Sequence, residues 1–206
     1  MGFYSDVIFP YGIELMMSGS PFSEYRRKLL KNISGEVLEI GFGTGLNLAY
    51  YPETVTKLTV IDPNQGMNRY AKKRIESSII PVENKVLGGE NLPMDDRSFD
   101  AVVSTWTLCS IPNIEQALSE IYRVLKSGKK FYFIEHGLSN EDSIQIWQNR
   151  LTPLQKIIAD GCHLNRNIKQ LIEAQFNQVQ IEEFYAEDTP KIAGYMYQGV
   201  ATKNGE

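Results

Sequence analysis

Apolar and polar positions change period along the 206-residue chain, and the changes mark out its elements. Short apolar runs at 36–40, 57–62, 82–87, 99–105 and 130–135 read as strands, with Phe99–Thr105 rich in the β-formers of a buried strand. Between them the apolar spacing turns helical at about 45–50, 64–78 and 114–125. The last of these places Ala117, Leu118, Ile121, Val124 and Leu125 on one face before the Lys126-Ser127-Gly128 stop. Helices follow at about 142–158 and 165–174, and two strand-like stretches, 179–185 and 192–202, close the chain. Residues 1–35 read as a helical lead-in, broken at Ser20-Pro21 and resumed as an amphipathic helix from Phe22 to Asn32.

Strands alternating with helices predict an α/β fold around a parallel sheet with right-handed crossovers. Two closing strands without a helix between them predict a hairpin added to that sheet. No repeat, low-complexity tract or linker divides the chain, so residues 1–206 are expected to form one domain. Within it, 1–35 would be an N-terminal helical lid, 36–136 the cofactor-binding core, and 137–206 the substrate-side helices and hairpin.

Composition narrows the function classes. The chain has 21 basic and 25 acidic residues, a formal charge of -4, with 42% hydrophobic and 22% charged residues. That balance offers no clustered positive field for phosphate backbones, so no nucleic-acid partner is expected. The densest basic run, Lys72-Lys73-Arg74, lies in a helical pattern and reads as a solvated face. No apolar window reaches the roughly 18 residues a membrane span needs, and the opening MGFYSDVIFPYG is too short and interrupted for a signal peptide. A cytoplasmic location is expected, with peripheral membrane contact left open. The two cysteines, Cys109 and Cys162, are far apart and match no metal, redox or disulfide spacing, so no metal site is expected.

The strongest local signal is Val37-Leu38-Glu39-Ile40-Gly41-Phe42-Gly43-Thr44-Gly45. An apolar strand ends in an acidic residue, and three alternating glycines then let the backbone turn tightly and approach a ligand. A dinucleotide-binding turn would carry a small residue at position 46 for pyrophosphate, and Leu46 stands there. The spacing favours an adenosine ligand without pyrophosphate. Asp62 ends the next strand and could accept hydrogen bonds from ribose hydroxyls, or cap the turn at Pro63.

Glu39-x-Gly41-x-Gly43-x-Gly45, Asp62-Pro63, Gly89-Glu90-Asn91-Leu92-Pro93, Ser98–Val102 and Val124-Leu125-Lys126-x-Gly128 resemble the successive motifs of class I S-adenosylmethionine-dependent methyltransferases. The resemblance implies a Rossmann-like, seven-stranded, mostly parallel sheet of order 3-2-1-4-5-7-6 with helices on both faces. It also implies S-adenosylmethionine as cofactor, with Gly41 and Gly43 beneath the methionine part, Gly45 also among the cofactor-binding residues, Glu39 holding that loop and Asp62 on the ribose. Thr105 and Trp106, past the fourth strand, would line the same pocket, where the Trp106 ring either meets the sulfonium or packs as core. Relatives often carry an acidic residue and alanine where this chain has Gly88 and Gly89. The adenine contact then falls to Glu90 or to backbone, unless Glu90 is an exposed turn residue.

Trp106–Ile111, Phe131–His136, Asp160–Arg166 and the ending Phe184-Tyr185-Ala186 resemble one branch, the methyltransferase-like-seven group, which includes thiol S-methyltransferases. The resemblance implies a small-molecule methyl acceptor, a thiol or sulfide, with phospholipid or small-amine N-methylation as the alternative. Candidate acceptor-side residues are His136, Asp160 and His163. His136 follows the fifth strand and could serve as a base near neutral pH or simply bond backbone. Asp160 and His163 flank the Gly161 turn, where Asp160 could orient a histidine or cap the next helix. The lead-in, with Tyr4, Phe9, Tyr11, Met16 and Met17, could shed water from the cofactor as an apolar lid or pack as an ordinary helix.

Overall fold

The computed structural model describes residues 4–205, apart from the side chains of residues 5 and 6; residues 1–3 of the expected lead-in lie outside the described residues. Its strands are β1 (Gly35–Ile40), β2 (Val55–Ile61), β3 (Val82–Lys85), β4 (Phe99–Thr105), β5 (Leu125–His136), β6 (Gln178–Tyr185) and β7 (Tyr195–Thr202). They form a single sheet ordered β3-β2-β1-β4-β5-β7-β6. β1 to β5 run parallel, and β7 lies antiparallel to both β5 and β6. This is the expected order, and β6–β7 is the expected hairpin.

Alternation along the strands divides the core into two layers, because neighbouring side chains point to opposite sheet faces. Leu38, Ile40, Val102, Phe131 and Phe133 pack on one side with Leu118 and Ile121 of helix α4 (Ile114–Val124) and Ile172 of α6 (Ile168–Gln175). Val37, Val60, Ala101, Val103 and Ile134 pack on the other with Leu30 of α2 (Phe22–Leu30) and Ala71 of α3 (Asn68–Glu76). Burying each large side chain contributes about 1.5–3 kcal/mol.

Several boundaries differ from the periodicity for local reasons. The turn after β1 opens only a 3-10 helix, Leu46–Tyr50, since Gly45 is left-handed (φ 82°) and extended Tyr51 leads into Pro52. The helix expected from Asn64 starts at Asn68, because the side chains of Asp62 and Asn64 bond the backbone N–H groups of Asn64 and Gly66 and hold a turn there. A short helix α7 (Lys191–Gly194) takes the first residues of the last predicted strand.

The lead-in is helical as expected: a short π-helical turn, Tyr4–Ile8, continues into α1 (Phe9–Met17). Helix α5 (Asp142–Ile158) packs against α7 in the hairpin's connection. Strand order reverses direction between β1 and β4, and a crevice opens there beyond the carboxyl ends of the strands, where open α/β sheets bind ligands. Gly41, Asp62, Trp106 and His136 each stand at or just past such an end.

Candidate active site

The crevice is a cavity of about 590 Å³, a size suited to a small organic ligand. Its floor is the glycine turn. Gly41, Gly43 and Gly45 all have positive φ (73°, 56° and 82°). A Cβ on Gly41 would collide with the Thr107 side chain, so glycine there is a packing requirement. A Cβ on Gly43 would meet nothing closer than the Gly41 carbonyl at 4.0 Å, so its bare backbone faces the cavity.

Asp62 sits at the end of β2, lines the cavity, and is buried. Its Oδ2 accepts from the Gly43 N–H at 2.8 Å and its Oδ1 from the Asn64 N–H at 2.8 Å. One carboxylate therefore ties the glycine turn to the turn after β2 and retains acceptor capacity toward the cavity. Burial raises its pKa against those two hydrogen bonds.

Glu39 lies beneath the turn and does not line the cavity. Its oxygens accept from Asn47 Nδ2 (2.8 Å) and Tyr51 Oη (2.7 Å), and burial pushes its carboxyl up to about 8. Asn47 also donates to Thr105 Oγ1 at 3.0 Å, which brings β4's end into the same network. Glu39 is thus tied to the segment after the glycine turn through Asn47.

Across the cavity, Gly89 packs so close to Ile40 that a Cβ there would lie 3.2 Å from its Cγ2. A side chain at 88 would meet Glu90 Oε2 at 2.7 Å, so the Glu90 carboxylate occupies the space that Gly88 leaves. Trp106 (φ 52°) lines the wall past β4, with its Nε1 buried and without a hydrogen-bond partner among the described residues. The cation on its ring is Arg26, 4.8 Å from the centroid, and Phe22 packs edge-on at 5.4 Å.

Sequence reasoning missed Arg26 and misread Arg74. Arg26 is buried, donates from Nε to Asn47 Oδ1 (3.0 Å) and from Nη1 to the Met17 carbonyl (2.7 Å), and burial lowers its pKa to about 10. Arg74, expected on a solvated face, instead reaches the Thr44 carbonyl (2.8 Å) and pairs with Glu14 of α1 (2.6 Å). Together they fasten α1 over the glycine turn, with Phe9, Ile13, Met16 and Met17 lining the cavity.

Another part of the cavity wall is built by residues at and just past the ends of β4, β5 and α5. Cys109, His136 and Cys162 converge there, their ligand-capable atoms all within 4.8 Å of one another. Separation in sequence had suggested no such meeting. His136 Nε2 lies 2.8 Å from Cys162 Sγ, and its Nδ1 is buried without a partner among the described residues. The Cys162 hydrogen bond and His136 hold the Cys109 thiol well below the usual range, and the Cys162 thiol is correspondingly pushed up. Burial disfavours a charged His136, but the adjacent Cys109 outweighs it and raises the pKa.

The loop carrying Cys109 is held by Glu135, also missed. Fully buried, Glu135 accepts from the N–H groups of Thr107 (2.9 Å) and Leu108 (3.0 Å) and from Ser104 Oγ (3.0 Å). A lone carboxylate directly after the apolar run Phe131–Ile134 was the available signal. Asp160 (φ 47°) lines the cavity and accepts from Asn64 Nδ2 at 3.0 Å; the following helix is capped by Asn167 instead. His163 does not line the cavity. Its Nδ1 lies 3.1 Å from the Cys109 carbonyl, and its N–H donates to the same oxygen at 3.0 Å.

The residues present fit S-adenosylmethionine by their own geometry. A backbone cradle is open at Gly43, a buried carboxylate stands at Asp62, an orphaned indole N–H lies at Trp106, and a second carboxylate reaches in at Glu90.

Residues 38–133 match the family described as "Methyltransferase domain". The chain is 40% identical over 162 residues to thiol S-methyltransferase TMT1B of Rattus norvegicus, covering 75% of this chain and 66% of that protein. It is 36% identical over 174 residues to thiol S-methyltransferase TMT1A of Homo sapiens, covering 78% and 71%. The chain therefore spans 66% and 71% of the length of these relatives. A solved SAM-dependent methyltransferase of Thermotoga maritima shares the fold, with a TM-score of 0.69, 19% identity and 98% of each chain covered.

Proposed function

Because the chain belongs to the class I S-adenosylmethionine-dependent methyltransferases, we propose that it places the donor's methyl group on the sulfur of a small thiol. The observation that carries this reading is the convergence of Cys109, His136 and Cys162 on the cavity wall. A thiol reacts as its thiolate, and with an ordinary pKa near 8.5 it needs only modest help to ionise. The His136 imidazole on that wall is a group able to take up the acceptor's proton. An amine acceptor would have to arrive neutral and lose a proton to a dedicated acceptor. The relatives named thiol S-methyltransferases support the same choice.

When bound, S-adenosylmethionine supplies a methyl carbon made electrophilic by a sulfonium. The chain's own residues align and desolvate. In this reading Gly41 and Gly43 floor the donor's place, while Gly45 packs against Phe42 behind the turn and does not line the cavity. Asp62 accepts from the ribose, Glu90 and the Gly89 backbone border the adenine, and Thr105 and Trp106 close the wall. The residues of α1 keep water out. His136 takes up or polarises the acceptor's proton, Asp160 borders the acceptor space, and His163 positions Cys109 through its carbonyl.

One observation favours a second reading, N-methylation of a phospholipid headgroup. Tyr11, Leu15 and Met16 on α1 and Leu154, Ile157 and Ile158 at the end of α5 are exposed, and Tyr4 Oη donates to the Ile158 carbonyl at 2.6 Å. Such an apolar rim suits an acceptor delivered from a lipid surface. Among the described residues no helix is long and apolar enough to cross a membrane.

The test measures S-adenosylhomocysteine release with small thiols including sulfide, and in parallel with phosphatidylethanolamine vesicles. Turnover with thiols alone is expected. Turnover with vesicles alone replaces the first reading by the second, and silence with both rejects each.

A further inference from the structure

We propose that Cys109, His136 and Cys162 form a binding site for a Zn2+ ion whose fourth position opens into the cavity. Two sulfurs and one imidazole nitrogen make a ligand set zinc takes readily, and three protein ligands with one position open is the arrangement of its catalytic sites. The three ligand-capable atoms lie within 4.8 Å of one another. A tetrahedral zinc at ordinary bond lengths needs about 3.5–3.8 Å between such atoms. The 2.8 Å contact between His136 Nε2 and Cys162 Sγ must widen by less than an ångström, and a pair at the 4.8 Å bound must close by about one.

The three ligands come from separate, well-anchored segments. Cys109 follows β4, in a loop whose N–H groups end on buried Glu135 and whose Leu108 carbonyl is bonded by Arg166. His136 ends β5, and its Nδ1 carries no partner among the described residues that would force Nε2 to hold a proton. Cys162 follows α5, its N–H bonded to the Ala159 carbonyl at 3.0 Å. Charge also favours an ion here. Binding would release both thiol protons, and a dication balances the two thiolate charges so formed in this buried place. The ligand types select a thiophilic ion over magnesium or calcium, which prefer oxygen.

All three residues line the cavity, so a small molecule there can reach a bound ion. Resting on the thiol reading above, the acceptor would occupy the fourth position. Its sulfur would bond zinc as its proton leaves to solvent, because His136 Nε2 is then a zinc ligand and cannot take it. The thiolate's electron pair would form the new carbon–sulfur bond as the methyl carbon's bond to the donor sulfonium breaks and S-adenosylhomocysteine leaves with that pair.

The test titrates reduced, metal-free full chain with Co2+, which reports thiolate ligation by its sulfur-to-cobalt charge-transfer band. One equivalent is expected to bind with that band and to be displaced by Zn2+. Cys109→Ser, Cys162→Ser and His136→Gln should each weaken binding by about a hundredfold. Each should keep S-adenosylmethionine affinity, which establishes that it is folded. No charge-transfer band in the folded, reduced protein overturns the site, as does a band unchanged in either cysteine variant. Isolation of a Cys109–Cys162 disulfide in place of metal binding overturns it too. Adding a small thiol to the Co2+ form should shift the band. A bound ion that no thiol perturbs rejects the acceptor's use of it, and a bound ion in a protein that methylates no thiol rejects only the acceptor reading.

Discussion

Arg26 donates from Nη1 to the carbonyl oxygen of Met17 at 2.7 Å, joining the end of α1 to the network beneath the glycine turn. Met17 O and Asn47 Oδ1 are both buried acceptors that depend on this guanidinium. Arg26→Met should cost about 2–3 kcal/mol of stability by stranding them, and should weaken donor binding roughly tenfold by loosening α1. Denaturant unfolding and calorimetric titration check the two effects. Lysine at 26 cannot make both bonds and should fall between; a variant indistinguishable from the parent in both assays would remove Arg26 from this role.

The glycines of the floor should separate fold from binding. Gly41→Ala meets the Thr107 side chain at a positive φ and should destabilise by more than about 2 kcal/mol. Gly43→Ala has room, so it should lose only about 1 kcal/mol for its φ of 56° yet reduce donor affinity at least tenfold, its methyl standing in the cradle. Equal donor affinity in Gly43→Ala would move the donor off this turn. Thermal melting and calorimetry together give the answer.

Glu39 predicts a pH dependence of stability. Burial raises its carboxyl from 4.5 to about 8, so the folded state holds the proton more tightly than the unfolded chain does. Its contribution is therefore complete below about pH 4.5 and is lost as pH rises through 8, by up to about 1.4 kcal/mol per unit between. Glu39→Gln escapes that loss. Its stability relative to the parent should rise from pH 5 to pH 8 and then level off, and a flat difference across that range would mean Glu39 is ionised in the fold.

Arg74 bridges α1 and the glycine turn through partly exposed contacts. Arg74→Ala should change stability by only about 0–1 kcal/mol. It should nevertheless raise the KM for S-adenosylmethionine several-fold, because α1 is no longer pinned to the Thr44 carbonyl. Glu14→Gln keeps that carbonyl bond and should have a smaller effect. Deleting residues 1–17 should exceed both in steady-state assays, and equal kinetics for all of these proteins would leave α1 as packing alone.

Along the chain, the sequence by itself determined the α/β alternation and the residues that frame one half of the cavity. Strand periodicity, the Glu39–Gly45 turn and Asp62 are local patterns, since each needs only neighbours in sequence and the preferences of glycine and carboxylate. It also foresaw the closing hairpin, though not the one-turn helix within its connection. The tertiary structure alone decided the rest. Cys109, His136 and Cys162 meet because the ends of β4, β5 and α5 share one edge of the sheet, and no spacing encodes that meeting. It turned Arg74 from a surface charge into a clasp and put Arg26 on the Trp106 ring. It also left His163 outside the cavity, holding the Cys109 carbonyl. Such roles depend on which distant backbone and side-chain groups a residue meets once burial removes water, and only the packed fold sets those partners.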